Sequence, residues 1–73
     1  MRRDPHEERR DAAASLARAD DLVAHQERRI ELLRASGQDP TIAAAMLRVL
    51  QQTREVMRKN LDAVEAEITE KPE

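Results

Sequence analysis

The sequence contains no cysteine and no phenylalanine, tyrosine or tryptophan, and it has one glycine and three prolines among 73 residues. The absence of cysteine excludes a disulfide framework and a cysteine-ligated metal. The absence of aromatic residues removes the side chains that usually supply much of the buried area of a small core. No apolar run approaches the roughly 18 to 20 residues that cross a bilayer, and the N-terminus lacks the apolar stretch of a signal peptide. We therefore predict a cytoplasmic protein with no membrane partner.

The residues that are present favour helices with a solvated, charge-balanced surface. Hydrophobic residues make up 40% of the chain and charged residues 38%, yet the net charge is only −2. The charges alternate with periodic apolar residues, which is typical of exposed helical faces and not of a disordered chain. A chain of this length supports one small domain, here 1–73, near the size at which a single core barely stabilises a fold.

A short break at Gly37, Asp39 and Pro40 divides the chain into two long amphipathic segments. Glycine suits the left-handed position just past a helix end, and Asp-Pro suits the start of the next helix. A loop this short folds the second helix back along the first. We therefore predict an all-α fold, an antiparallel two-helix hairpin. Its predicted elements are helix 1 at about 5–36, a turn at 37–39, helix 2 at about 40–69 and a frayed tail at 70–73.

Apolar residues spaced alternately by four and three define the predicted contact between the two helices. The hairpin core predicted from this spacing is Leu16, Val23, Ile30, Leu33, Met46, Leu50, Met57, Leu61 and Val64, with Ala12, Ala19 and Ile68 at further inward positions. Folding at the turn opposes Ile30 to Met46. Two polar residues, Gln26 and Thr53, also fall at inward positions. Either they are buried and fix the register of the helices, or they lie at the edge and contact water.

The second helix carries apolar residues around nearly half its circumference, more than one partner helix can cover. The residues predicted to remain outside the hairpin core, and to form an interface, are Leu22, Ile42, Leu47, Val49 and Val56. Each large aliphatic side chain left in water forfeits about 1.5–3 kcal/mol. We therefore predict a homodimer that completes a four-helix bundle, with docking onto another protein as the alternative partner.

No cluster of residues predicts catalysis, a cofactor or a metal. His6 and His25 lack the Glu-x-x-His spacing of di-iron bundles. The adjacent acidic pairs 7–8 and 20–21 point about 100° apart on a helix, so neither pair converges on a substrate. The sequence predicts a non-enzymatic protein–protein interaction module, either a homo-oligomeric scaffold or a small adaptor.

The alternative function is a small nucleic-acid-associated or transcriptional regulator that uses the arginine-bearing N-terminus. Arg2, Arg3, Arg9 and Arg10 form its best local basic patch. Acidic residues interleave with the arginines and aromatic stacking residues are missing, so a nucleic-acid partner is disfavoured.

The middle of the chain resembles a known group of sequences. The segments that carry the resemblance are His25 to Leu33, the Gly37-Gln38-Asp39 turn, Ala45-Met46-Leu47 and the helix from Leu50 to Met57. They are similar to small uncharacterised helical-hairpin proteins of alphaproteobacteria, over about residues 20–61. The chain departs from their pattern at Pro40, where threonine is common. The resemblance implies the hairpin fold and implies no activity.

Overall fold

A computed structural model describes the backbone of residues 4–70 and the side chains of residues 4–69. It contains two α-helices, α1 (Pro5–Ala35) and α2 (Thr41–Glu70), and all regular structure within residues 4–70 is helical. The two helices pack along each other in a slender unit of 59 × 20 × 14 Å. The all-α hairpin predicted from the sequence is therefore the observed fold. The predicted frayed tail falls mainly on 71–73, outside the described residues.

The start of α1 is fixed by Asp4 and Pro5. The Asp4 carboxylate accepts a hydrogen bond from the backbone N–H of His6 at 3.0 Å, and the Asp4 carbonyl accepts the first helical bond from Glu8 at 3.0 Å. Pro5 occupies the first turn, where its missing N–H costs nothing. The chain therefore enters α1 with an N-cap and an acidic first turn that complements the helix dipole.

The end of α1 is a Schellman motif. The N–H of Gly37 donates to the Arg34 carbonyl at 3.1 Å, and the N–H of Gln38 donates to the Leu33 carbonyl at 2.8 Å. Gly37 has a φ of 76°, in the left-handed region where a residue with a Cβ is strained. The Ser36 hydroxyl also donates to the Leu32 carbonyl at 2.9 Å. The carbonyls of Leu32, Leu33 and Arg34 in the last turn thus accept hydrogen bonds from within the chain.

The start of α2 is held by Asp39, which lies two residues before the first helical residue, Thr41. Its carboxylate accepts hydrogen bonds from the Thr41 hydroxyl at 2.6 Å and from the Thr41 N–H at 3.0 Å. These two bonds, the hydroxyl bond first, hold the pKa of Asp39 below its ordinary value. The first helical carbonyl is that of Pro40, which accepts from Ala44 at 2.8 Å. The turn residues predicted from the sequence therefore close α1 and open α2.

The inward face of α1 matches the predicted spacing. The residues of that face are buried or half-buried, with exposed fractions of 5% at Ala12, 6% at Ala19, 2% at Val23 and 6% at Ile30, and Leu16 and Leu33 are half-buried. Successive members are separated alternately by four and three residues, so they form one continuous seam along the helix.

The inward face of α2 differs from the prediction in its first half. Met46 is 53% exposed and Thr53 is exposed, so the predicted core position of Met46 is wrong. Ala43 is buried instead, with an exposed fraction of 8%, and Leu47 and Arg54 are half-buried. The observed α2 seam is Ala43, Leu47, Leu50, Arg54, Met57, Leu61, Val64 and Ile68.

The reason for the difference is the strict alternation of fours and threes. The observed seam keeps this alternation along the whole of α2. The predicted seam began at Met46 and passed through Thr53, and therefore contained two successive intervals of four residues around Met57. At Ala43 the Gln26 side chain reaches the backbone of α2 at 3.0 Å, and the small side chain of Ala43 is buried there. From Met57 onward the predicted and the observed seams coincide, and Leu50, Met57 and Leu61 are half-buried while Val64 is buried.

Gln26 is the buried polar residue of this seam. It is 6% exposed, and its side-chain nitrogen Nε2 donates a hydrogen bond to the Ala43 carbonyl at 3.0 Å. Within residues 4–69 no buried side-chain nitrogen or oxygen lacks a hydrogen-bond partner. Of the two interpretations that the sequence left open, Gln26 follows the buried one and Thr53 the exposed one. The Gln26 amide thus ties α1 to the third residue of the second helix.

Candidate protein interface

The most exposed apolar side chains of α2 lie along one stripe. The exposed fractions are 78% for Ile42, 53% for Met46, 60% for Val49 and 64% for Val56. Ile42, Val49 and Val56 are seven residues apart, so they are nearly superposed along the helix axis. We call Ile42, Met46, Val49, Thr53 and Val56 the outer stripe. It places three of the five predicted interface residues on one open face of the hairpin.

The outer stripe has the spacing of a second helix contact. Its members follow one another at intervals of four, three, four and three residues, the same pattern as the seam that packs on α1. Continued along α2, the pattern reaches Asn60, Ala63 and Glu67. The stripe is thus apolar near the turn and polar toward the end of α2. An amphipathic helix with two such seams is suited to contact two helices at once.

Leu22 of α1 lies on the same side of the hairpin as the outer stripe. A shallow groove on one side of the helix pair is lined by Ser15 of α1 and by Asn60 of α2. Leu22 lies seven residues after Ser15 and therefore on the same face of α1. Thr53 of the outer stripe lies seven residues before Asn60 and therefore on the same face of α2. Leu22 is 53% exposed. It therefore extends the apolar surface of the stripe across to α1.

Leu47, the fifth predicted interface residue, belongs to the other side of the hairpin. It is half-buried and lines a groove with Ile30 and Glu31 of α1. The predicted place of Leu47 outside the hairpin core is wrong, because its position in the alternation turns it toward α1. On this side the charged residues Asp20 and Arg54 approach to 3.8 Å. Both are partly exposed, so this ion pair contributes no more than about 1 kcal/mol.

The remaining polar residues do not assemble a chemical site. His6 and His25 are exposed, and within residues 4–69 no group of three or more histidine, cysteine, aspartate or glutamate side chains is placed to hold a metal ion. The acidic pairs 7–8 and 20–21 lie on the helix surface, and the grooves between the helices are open to solvent. Where the structure describes side chains, it brings no acid, base or nucleophile into a closed cleft.

The arginines of the described chain are dispersed. Arg9, Arg10, Arg18, Arg28 and Arg29 are exposed on α1, with acidic residues between them along the helix. The other half of the basic patch predicted at the N-terminus, residues 2 and 3, lies outside the described residues. The described surface therefore does not gather the basic stripe with which proteins usually contact nucleic acid.

Comparison with known proteins adds no family. No protein-family model matches the chain, and no curated protein or solved structure matches it either. The resemblance to alphaproteobacterial hairpin proteins stays a prediction. Among the described residues, neither helix is both long and apolar enough to span a membrane.

Proposed function

We propose that this protein is a non-enzymatic interaction module that docks the outer stripe against another helical surface, completing a bundle of four helices. The observation that carries the proposal is the exposure of the stripe, at 53% to 78% for its four large apolar side chains. In this role the hairpin acts as a homo-oligomeric scaffold or as a small adaptor. The stripe supplies the contact, and the rest of the surface keeps the module soluble.

The energetics favour a covered stripe. Full burial of one aliphatic side chain of this size contributes about 1.5–3 kcal/mol. At the exposed fractions of the four stripe residues, covering each side chain would therefore contribute about 1–2 kcal/mol more. The total of several kcal/mol is comparable with the whole stability of a small domain. Within residues 4–69, Val23 is the largest fully buried side chain, so the core itself is thin. Docking of the stripe would therefore add apolar burial to a hairpin whose own core is small.

The spacing of the stripe defines the chemistry of its partner. Residues at intervals of three, four and seven form one face of a helix and insert between the side chains of a facing helix. The apolar members sit beside the exposed Thr53 and the polar Asn60, which suit the rim of such a contact. The partner that fits is an amphipathic helix or helix pair with an apolar seam of about two heptads.

The proposal is tested by placing a photo-crosslinking amino acid on the stripe in the cell from which the protein derives. We expect crosslinked protein adducts from positions 49 and 56. The matched control position is Gln51, which is exposed and lies about 160° around α2 from Val49. The proposal is supported if positions 49 and 56 give discrete adducts and position 51 gives none. It fails if all three positions give the same pattern, or if neither stripe position gives an adduct.

A further inference from the structure

We infer that the partner of the outer stripe is a second copy of the same chain, with α2 lying antiparallel on the partner's α2 and a two-fold axis at Val49. This inference rests on the proposed function, because it names the occupant of the same stripe. It goes further by fixing which helices meet, in which direction and at which residue.

The stripe is self-complementary about Val49. Ile42 and Val56 stand seven residues before and after it, and Met46 and Thr53 stand three before and four after. An antiparallel copy therefore sets Ile42 against the partner's Val56 and Met46 beside the partner's Thr53, while Val49 meets the partner's Val49. A two-fold interface requires one patch to match itself in this way.

The length of the apolar stripe agrees with the extent of the overlap. In the antiparallel arrangement, residues after about 61 extend beyond the partner's turn, because the turn lies 12 residues before Val49. The stripe changes from apolar to polar at Asn60, close to the point at which the partner would end. The inference thus explains why the second seam of α2 is apolar only from 42 to 56.

An α2–α2 contact of this kind is small. At 1.5 Å per residue, an overlap from the turn to about residue 61 is about 36 Å long, and one helix with its side chains is about 10 Å wide. The shared face therefore covers about 360 Å² on each copy, roughly half of the 800 Å² per partner of a standard stable interface. The dimer that we infer is accordingly a weak one, which is why its association is measured at about 100 µM.

Charge at the ends of the overlap supports the same orientation. Asp39 and Lys59 stand ten residues on either side of Val49. Both side chains are exposed in the hairpin. The antiparallel arrangement brings Lys59 to the same height as the partner's Asp39, so each end of the interface pairs opposite charges.

Packing of the stripe on the partner's α1 is less favourable. The side of α1 that carries Leu22 also carries the exposed Arg18, His25 and Arg29. Together with Leu22, these residues follow one another at intervals of four, three and four. The apolar stripe would there cover charged groups that need water. Val49 points about 110° away from the direction of α1, so two α2 helices can meet while the arginines of α1 stay solvated.

Cysteine crosslinking of the purified chain tests the arrangement, and the absence of native cysteine makes each introduced thiol unambiguous. We expect Val49→Cys to form a disulfide-linked dimer under mild oxidation, because the residue faces its own copy. The paired variant Ile42→Cys/Val56→Cys should also crosslink. The controls Gln51→Cys and Arg18→Cys should crosslink at least tenfold more slowly.

Sedimentation of the uncrosslinked chain gives the second readout. We expect a dimer at about 100 µM and at least a tenfold weaker dimer for Val49→Asp, with Gln51→Asp unchanged. Circular dichroism must show the same helix content in both variants at low concentration; if Val49→Asp unfolds, the cysteine series decides alone. A monomer at about 500 µM overturns the inference. So does a dimer in which Arg18→Cys crosslinks faster than Val49→Cys.

The two proposals fail in different ways. If the purified chain stays monomeric while position 49 crosslinks to a different protein in the cell, the second copy is excluded and the interaction module survives. If the purified chain stays monomeric and neither position 49 nor position 56 yields an adduct in the cell, both proposals fall.

Discussion

Replacement of Gln26 tests the internal register of the hairpin. The side chain is 94% buried and donates one hydrogen bond of 3.0 Å to the Ala43 carbonyl. A hydrogen bond of this kind contributes about 0.5–1.5 kcal/mol net, and burial of a leucine of similar size contributes about 1.5–3 kcal/mol. We therefore expect Gln26→Leu to raise the free energy of unfolding by about 1 kcal/mol. Gln26→Ala should lower it by about 2 kcal/mol, because it leaves a cavity as well as removing the bond.

Gln26→Glu gives the sharper result, because its effect depends on pH. A carboxylate at this site would be buried beside the Ala43 carbonyl oxygen, which costs about 3 kcal/mol or more. Burial raises the pKa of the introduced glutamate above its ordinary value, so the folded state takes up a proton more readily than the unfolded state. The free energy of unfolding of this variant should therefore rise as the pH falls from 7 toward 4. The protonated acid can then donate to Ala43 as the amide does.

Urea unfolding followed by circular dichroism, at low protein concentration to exclude association, measures these differences. Gln51→Glu is the control, since Gln51 is exposed and its replacement should leave no such pH dependence. The reasoning is refuted if Gln26→Glu is as stable as the parent chain at pH 7. It is also refuted if Gln26→Leu loses as much stability as Gln26→Ala, because the amide would then be indispensable and not merely tolerated.

Three further substitutions check the turn and the core. Gly37→Ala should cost about 1 kcal/mol in urea unfolding through its left-handed φ alone, since a Cβ there meets no atom within 4 Å, and an unchanged midpoint would contradict this. Asp39 has a lowered pKa, so its contribution is present above its ordinary pKa near 4 and is lost as the pH falls through the lowered value. The stability difference between parent and Asp39→Asn should therefore shrink on acidification, and a constant difference from pH 6 to about 2 would contradict the capping role. Val23→Ala, at 2% exposure, should cost about 2 kcal/mol, whereas Leu32→Ala, at 70% exposure, should change stability by less than about 0.5 kcal/mol; equal losses would contradict the assigned core.

The seam of α1 could be predicted from the sequence because its pattern allows one interpretation. Leu16, Val23 and Ile30 recur every seven residues, with alanines and Gln26 between them, and no competing apolar row runs beside them. Hydrophobic periodicity is then sufficient to orient the helix. The turn was equally readable, because only glycine adopts the φ of Gly37 without strain and Asp-Pro caps a helix by its own chemistry.

The seam of α2 could not be assigned fully, because two rows of similar hydrophobicity lie side by side on it. Met46 is larger and more apolar than Ala43, so a prediction that weighs hydrophobicity selects it. Which of the two residues is buried depends on how the helices pack near the turn. There a small residue fits, and the Gln26 amide reaches the Ala43 carbonyl. Strict alternation of fours and threes was the available signal. It would have placed Ala43, Leu47 and Arg54 inside and left Met46 to the outer stripe.

The division of apolar residues between the internal seam of α2 and the outer stripe accounts for the small size of the hairpin core. Small residues such as Ala12, Ala19 and Ala43 let the helices approach closely, but they bury little area, and Arg54 keeps its charged end beside Asp20 at the edge of the seam. The apolar residues that could have thickened this core lie instead on the outer stripe. A sequence optimised for an isolated hairpin would place its largest side chains in the internal seam and polar ones outside it. Between residues 42 and 56 this chain has Ala43, Leu47, Leu50 and Arg54 in the internal seam. Over the same length it leaves one isoleucine, one methionine and two valines on the outer stripe, an arrangement that favours burial between molecules as well as within one.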